Sequence, residues 1–232
     1  MRPGSSKPNR AAAAKIAAPR AGRPSRDAAL LLRERILDVA TELLFTHGYG
    51  ATSIEAIARR ARVSKRTFYQ RFPDKPALIT AVVGRLIDNL RPPADIPLIE
   101  GEGLEQILVH LGSLILRAAL TPRVLQLQRL IVAESGRFPD LAAAVAKAGG
   151  RKEAVAIISE LLMRDAGGTT LSPAQAGFAA HQFLQMIVSL PQLRAIGLGA
   201  SMTPGELDAW VRDTVALFLD GAAGIAKRSS PD

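Results

Sequence analysis

Between Arg59 and Arg71 the sequence holds six basic side chains, Arg59, Arg60, Arg62, Lys65, Arg66 and Arg71, and no acid. Thr67, Tyr69 and Gln70 lie among them. Guanidinium and ammonium groups neutralise a phosphate backbone whatever its base sequence. Arg66 or Lys65 can also make paired hydrogen bonds to a guanine edge, and Gln70 to an adenine edge. This mixture suits the surface of a nucleic-acid duplex. The competing reading, a solvated basic face on an ordinary helix pair, has to be weighed against what flanks these residues.

The flanks read as two short helices joined by a tight turn, running from Thr52 to Phe72. Thr52 and Glu55 have the spacing of a capping box, and Ile54, Ile57 and Ala58 fall on one helical face. Ser64 is placed to cap the second helix, with Val63 and Phe68 spaced as a hydrophobic staple that fixes its approach angle. With Phe68 and Phe72 turned inward, Lys65, Arg66, Thr67, Tyr69, Gln70 and Arg71 are left on the outer face. Thr52 and Ser53 at one positive helix end, and Lys75 at the next, are placed for phosphate contacts. Caps, spacing and charge agree on a helix-turn-helix for duplex DNA.

From about Arg33 to Leu78 the chain resembles the TetR-type transcriptional regulators. The resemblance is carried by Ile36-Leu37-Asp38-Val39-Ala40, Leu43-Leu44-Phe45 with Gly48-Tyr49, Thr52-Ser53 with Ile57-Ala58, Val63-Ser64-Lys65 with Thr67-Phe68-Tyr69, and Phe72 with Asp74-Lys75. Arg62 departs from the pattern, standing where the family usually has a left-handed glycine, at a cost of roughly 1 kcal/mol. Ile54 stands where some relatives use a polar base contact. Further on, Arg129-Leu130-Ile131-Val132-Ala133-Glu134 and Arg137-Phe138-Pro139-Asp140-Leu141 resemble the AefR-like C-terminal domain of one TetR subgroup.

The resemblance implies an all-α fold: an N-terminal three-helix DNA-binding domain and a larger helical domain for ligand binding and dimerisation. It also implies a dimeric repressor on a double-stranded DNA operator, with Lys65, Arg66, Thr67, Tyr69 and Gln70 at bases and nearby phosphates. Two heads one DNA turn apart, roughly 34 Å, read a palindrome. In this family the last two long helices pair across a two-fold axis. Phe178, Phe183, Ile187, Leu207, Trp210, Val211, Val215 and Phe218 are therefore candidates for the dimer interface, the other reading being that each fills its own subunit's core.

Charge is unevenly spread over the 232 residues: net +7 in residues 1–26, +3 in 27–75 and −1 in 76–232. Basicity thus belongs to the DNA-facing end. With no cysteine, disulfides, thiolate metal sites and cysteine nucleophiles are excluded. The most apolar long run, Leu104 to Leu120, contains Glu105, His110 and Arg117, so no membrane span is expected and a cytoplasmic location is. Residues 1–26 and 226–232 are expected to be disordered. Within the first, Ala21-Gly22-Arg23-Pro24 resembles a minor-groove hook, against the plainer reading of a tail that adds nonspecific phosphate attraction.

The expected domains are 27–75 for DNA binding and 76–225 for ligand binding and dimerisation. A first helix should run from Asp27 or Ala28 to His47, ended by Gly48, and a fourth from an Asp74 cap to about Leu90. Thr121-Pro122, Ser172-Pro173 and Thr203-Pro204 each set a capping hydroxyl before a first-turn proline, and Gln175 and Glu206 complete two capping boxes. Helices are placed at 104–120, 122–135, 139–148, 150–165, 173–196 and 204–224, with Pro191 kinking or breaking the fifth of these.

Those helices are apolar enough to enclose a cavity for an unknown apolar or amphipathic effector, with His110, Gln126, Arg129, His181, Gln182 and Gln185 as candidate polar contacts. No cofactor is expected. His47, His110 and His181 lack metal-ligand spacing and the chain has no phosphate-cradling loop or serine elbow, so an enzyme is not expected. The alternative to an effector-released repressor is a ligand-independent architectural DNA-binding protein.

Overall fold

The computed structural model describes residues 26–90, 97–148, 150–165 and 171–221, and every regular element among them is a helix. The tail with Gly22-Arg23-Pro24 and residues 226–232 lie outside the described residues.

The DNA-binding end consists of α1 (Arg26–Ala51), α2 (Ile54–Arg60) and α3 (Lys65–Tyr69), followed by α4 (Lys75–Asp88). Helical pairing in α1 continues past His47, but Gly48 breaks the backbone at φ 80°, ψ 172°, a left-handed conformation that glycine adopts without a Cβ clash. Ser53, not Thr52, caps α2: its hydroxyl accepts the Ala56 N–H at 3.1 Å. The Thr52 hydroxyl instead donates to the Gly48 carbonyl at 2.7 Å, satisfying the acceptor that the break exposes. Ser64 caps α3 through Thr67 N–H, and Asp74 caps α4 through Ala77 N–H, as expected.

Arg62 has φ 55°. A side chain in that left-handed turn is strained, and Arg62→Gly is expected to raise stability by roughly 1 kcal/mol, read as a higher unfolding midpoint. An unchanged or lowered midpoint contradicts the strain.

The remaining helices are α5 (Leu104–Ala119), α6 (Pro122–Glu134), α7 (Pro139–Ala148), α8 (Gly150–Asp165), α9 (Pro173–Ala195) and α10 (Pro204–Asp220). Both expected capping boxes, Ser172 with Gln175 and Thr203 with Glu206, are formed. Thr121 does not cap α6 with its side chain; its hydroxyl donates backwards to Ala118 O at 2.9 Å. Nor does Pro191 break α9. Lacking an N–H, it leaves the Ile187 carbonyl without its helical donor. The Trp210 indole N–H on α10 takes that carbonyl at 3.0 Å, so the proline sits buried within an intact helix.

Two hydrophobic clusters hold the molecule. The first gathers Ile36, Leu37, Ile57, Phe68 and Phe72 from the DNA-binding end with Leu78, Ile79, Val82 and Val83 of α4 and Leu141 and Ala144 of α7. It therefore runs through residue 75 and into the C-terminal helices. The second joins Ile107, Leu108 and Leu111 of α5 to Ile158 and Leu161 of α8, Phe183 and Ile187 of α9, and Val211 and Val215 of α10. Arg85 ties α4 back to α1, donating to Asp38 Oδ1 at 2.7 Å, Glu34 Oε2 at 3.2 Å and Thr41 Oγ1 at 3.2 Å.

Candidate nucleic-acid interface

Helix α3 is five residues long, and its burial pattern sets its outward face. Phe68 is fully buried, with the rings of Tyr69 and Phe72 at 5.8 and 5.7 Å. Its partner in the staple, Val63, packs against the same cluster. Lys65, Arg66, Tyr69 and Gln70 are left exposed, and Thr67 is half-buried. The Thr67 hydroxyl lies 2.8 Å from that of Ser64. Arg71, just beyond the end of α3, is half-buried and donates back to the Thr67 carbonyl at 3.2 Å.

Sequence spacing did not reveal two features of this face. Glu55, which had been assigned to a cap, reaches from α2 to Lys65 Nζ at 2.7 Å. The hydrogen bond from Lys65 holds the Glu55 carboxyl below its ordinary range, and the same bond holds the Lys65 ammonium above its own. The pair is exposed, so a phosphate can exchange for Glu55 at little cost. Arg33 of α1 lies over the Phe72 ring at 5.7 Å, adding a basic group beside the end of the reading unit.

Ser53 is exposed at the start of α2, whereas Thr52 is only 2% exposed and spends its hydroxyl on Gly48. That hydroxyl is turned away from the surface where a phosphate contact was expected. Lys75 is half-buried: its ammonium sits 3.8 Å from the centroid of the Tyr49 ring and donates to the Tyr49 carbonyl. Burial lowers its pKa from the ordinary lysine value. Ile54 is half-buried against the first cluster.

The candidate effector residues are not brought together. His110 lies 3.0 Å from the Pro97 carbonyl, in an open groove of about 480 Å³ with Glu105 and Arg212. Gln126, His181 and Gln182 are exposed; Arg129 donates to Ala195 O at 3.1 Å, and Gln185 accepts from Arg151 at 2.7 Å. Helical periodicity had put polar groups on these helices without fixing which way they faced. A cleft of about 840 Å³ opens elsewhere, where α1, α4 and the start of α6 meet, lined by Glu34, Asp38, Arg85, Leu86, Arg123 and Val124 among others.

The candidate dimer residues also divide. Phe183, Ile187, Val211 and Val215 are at most 1% exposed and fill the second cluster, so they cannot touch a partner. Leu207, Trp210 and Phe218 are half-buried against that cluster, and Phe218 meets Phe183 edge-on at 5.1 Å. Phe178 alone of the eight is exposed, at 67%. The same helices expose Leu190, Leu193, Leu217 and Leu219, which the sequence reading passed over.

The profile of bacterial regulatory proteins of the tetR family matches residues 36–82, and that of the AefR-like transcriptional repressor C-terminal domain matches residues 106–221. The chain belongs to the TetR family. It is thus a helix-turn-helix transcriptional regulator, in a family of DNA-binding proteins rather than enzymes. The HTH-type transcriptional regulator YvkB of Bacillus subtilis is 35% identical over 83 residues, 36% of this chain and 42% of YvkB. The HTH-type transcriptional activator FasR of Mycolicibacterium smegmatis is 43% identical over 58 residues, 25% of this chain and 26% of FasR. The chain thus spans less than half the length of either curated relative. Among solved structures, the flavonoid-responsive regulator FrrA is 28% identical with a TM-score of 0.66, over 82% of this chain and 95% of that one. No single described helix is long and apolar enough to cross a membrane.

Proposed function

We propose that this TetR-family chain acts as a cytoplasmic dimeric repressor that reads a palindromic operator and is released from it by an amphipathic small molecule. The observation that carries the DNA reading is the outer face of α3, with Arg66, Tyr69 and Gln70 exposed on a helix locked by the Ser64 cap and buried Phe68. In this reading Arg66 and Gln70 contact bases, while Lys65, Thr67, Tyr69, Ser53 and Lys75 contact phosphates or nearby bases. A second copy would cover the apolar side chains left bare on α9 and α10, Phe178, Leu190, Leu193 and Leu217.

An effector can act only by binding two head spacings unequally. The cleft between α1, α4 and α6 is a place where one molecule would touch both the DNA-binding end and the start of the helices beyond α5, and its size falls within the range of small-molecule sites. Leu86 and Val124 beside Glu34, Asp38 and Arg123 favour an amphipathic occupant over a purely apolar one. FrrA, a structural neighbour described as flavonoid-responsive, supports a small-molecule effector in general terms.

The reading is tested by titrating one palindromic duplex and a scrambled duplex of equal length while sedimentation measures stoichiometry. Two chains per palindrome, with clear preference over the scrambled duplex, support it. Binding governed by salt alone would favour the architectural alternative. Tyr69→Phe is expected to weaken binding on both duplexes by roughly tenfold, about the lower value of one hydrogen bond to a charged group. Lys75→Ala should do the same and also flatten the salt dependence by roughly one counterion per head. An unaltered salt slope would show that Lys75 stays on Tyr49 in the complex.

A further inference from the structure

The corner between α6 and α7 reaches across the molecule to the turn that leads into the reading unit. Glu134, at the end of α6, accepts two successive backbone donors with one carboxylate: Tyr49 N–H at 3.1 Å on Oε1 and Gly50 N–H at 2.9 Å on Oε2. Asp140, in the first turn of α7, accepts the Tyr49 hydroxyl. Between them Phe138 meets the Tyr49 ring edge-on, with centroids 5.2 Å apart. Burial, and then the Asp140 carboxylate, push the Tyr49 hydroxyl well above the ordinary phenol range, so this donor stays protonated.

Two glycines make the approach possible. A side chain on Gly48 would run into the Glu134 carboxylate, and a Cβ on Gly50 would lie 2.9 Å from Phe138 Cζ. The grip touches the reading unit on both sides. Ahead of it, the Gly48 and Tyr49 carbonyls accept the Thr52 hydroxyl at 2.7 Å and the Thr52 N–H at 3.3 Å, and Ser53 then caps α2. Behind it, Lys75, the first residue after the cap of α4, closes over the Tyr49 ring and donates to its carbonyl. The segments entering α2 and leaving α3 therefore meet at one tyrosine, which the C-terminal helices hold by two carboxylates.

We propose that Glu134 and Asp140 are positioning residues for DNA reading, fixing through Tyr49, Gly50 and Lys75 the attitude of the recognition helix relative to the C-terminal helices. The inference rests on the DNA-regulator reading above. Reading a palindrome needs two heads at one spacing and tilt, so a loosened head loses preorganised specific contacts. Attraction to phosphates does not depend on that spacing. Loss of the grip should therefore weaken specific binding selectively, which a purely stabilising contact would not do.

The test compares the full-length wild type with Glu134→Ala and Tyr49→Phe at one salt concentration. The DNA probes are the palindrome that the wild type selects from random duplexes and a scrambled duplex of equal length; amide exchange at Gly50 and the unfolding midpoint are followed in parallel. Glu134→Ala should weaken palindrome binding roughly tenfold, the scale of couplings through such contacts, leave the scrambled duplex within about twofold, and speed Gly50 exchange. Tyr49→Phe, which removes one hydroxyl and keeps the ring, should show the same selectivity at about threefold and decides the matter if Glu134→Ala does not fold. Palindrome affinity that is unchanged or tighter in a folded variant, or an equal loss on both duplexes, overturns the proposal while leaving the regulator reading intact. A wild type that selects no palindrome overturns both.

Discussion

Arg66→Ala is expected to weaken binding to the selected palindrome by roughly tenfold to a hundredfold, the value of a bidentate arginine–base pair, and to relax preference at one position in each half-site. Arg66 is suited to that role because it is exposed on α3 and takes part in no ion pair found among the described residues, so little must be broken to free it. Its neighbour Lys65 is held by Glu55 at 2.7 Å and Arg71 is folded back onto Thr67. On a scrambled duplex the same substitution removes one positive charge per head, which costs a few fold at most at physiological salt. Competitive titration with the two duplexes separates these effects, and equal losses on both would show that Arg66 contacts phosphate rather than a base.

Phe68→Ala is expected to destabilise the chain by about 3–5 kcal/mol, since a fully buried aromatic leaves both lost transfer energy and a cavity. Phe68 has no exposed surface and anchors the first cluster beneath α3. Because total stability is typically about 5–15 kcal/mol, such a loss unfolds a large fraction of molecules near physiological temperature. The cluster also includes Leu78, Val82 and Leu141, so the damage should reach α4 and α7 rather than stay in the reading head. Denaturant unfolding monitored at Trp210, far along the chain, checks this. A loss below about 1 kcal/mol, or a Trp210 signal unaffected while DNA binding disappears, would mean that the head unfolds independently.

Much of the architecture was legible in the sequence because it is written locally. Ser64, Asp74, Ser172 with Gln175 and Thr203 with Glu206 mark helix starts through bonds spanning three residues, and all four formed. The strained turn at Arg62 was legible through the family resemblance, which implies a left-handed glycine at that position. Thr52 has the spacing of a cap for α2, but the Gly48 break frees a carbonyl that claims the Thr52 hydroxyl, and the cap falls to Ser53, which that spacing did not point to. Local sequence points to Pro191 kinking or breaking its helix because the compensating donor, Trp210, lies on another helix.

The site was legible where one helix presents it and illegible where packing chooses the partner. Outward residues of α3 follow from the inward turn of Phe68. For α9 and α10, periodicity marked apolar faces but could not say whether the same chain or another copy covers them, and Phe183 proved buried while Leu193 did not. Glu134 and Asp140 carry no local sign of their bonds to Tyr49, made across 85 and 91 residues.

The most direct test of the account is selection of bound sequences from a random duplex pool by the purified full-length protein at fixed salt. The account predicts one palindromic motif with half-sites about one helical turn apart, bound by two chains, with its sharpest positions lost on Arg66→Ala. A pool without a motif, retained only through a salt-dependent attraction, would contradict it.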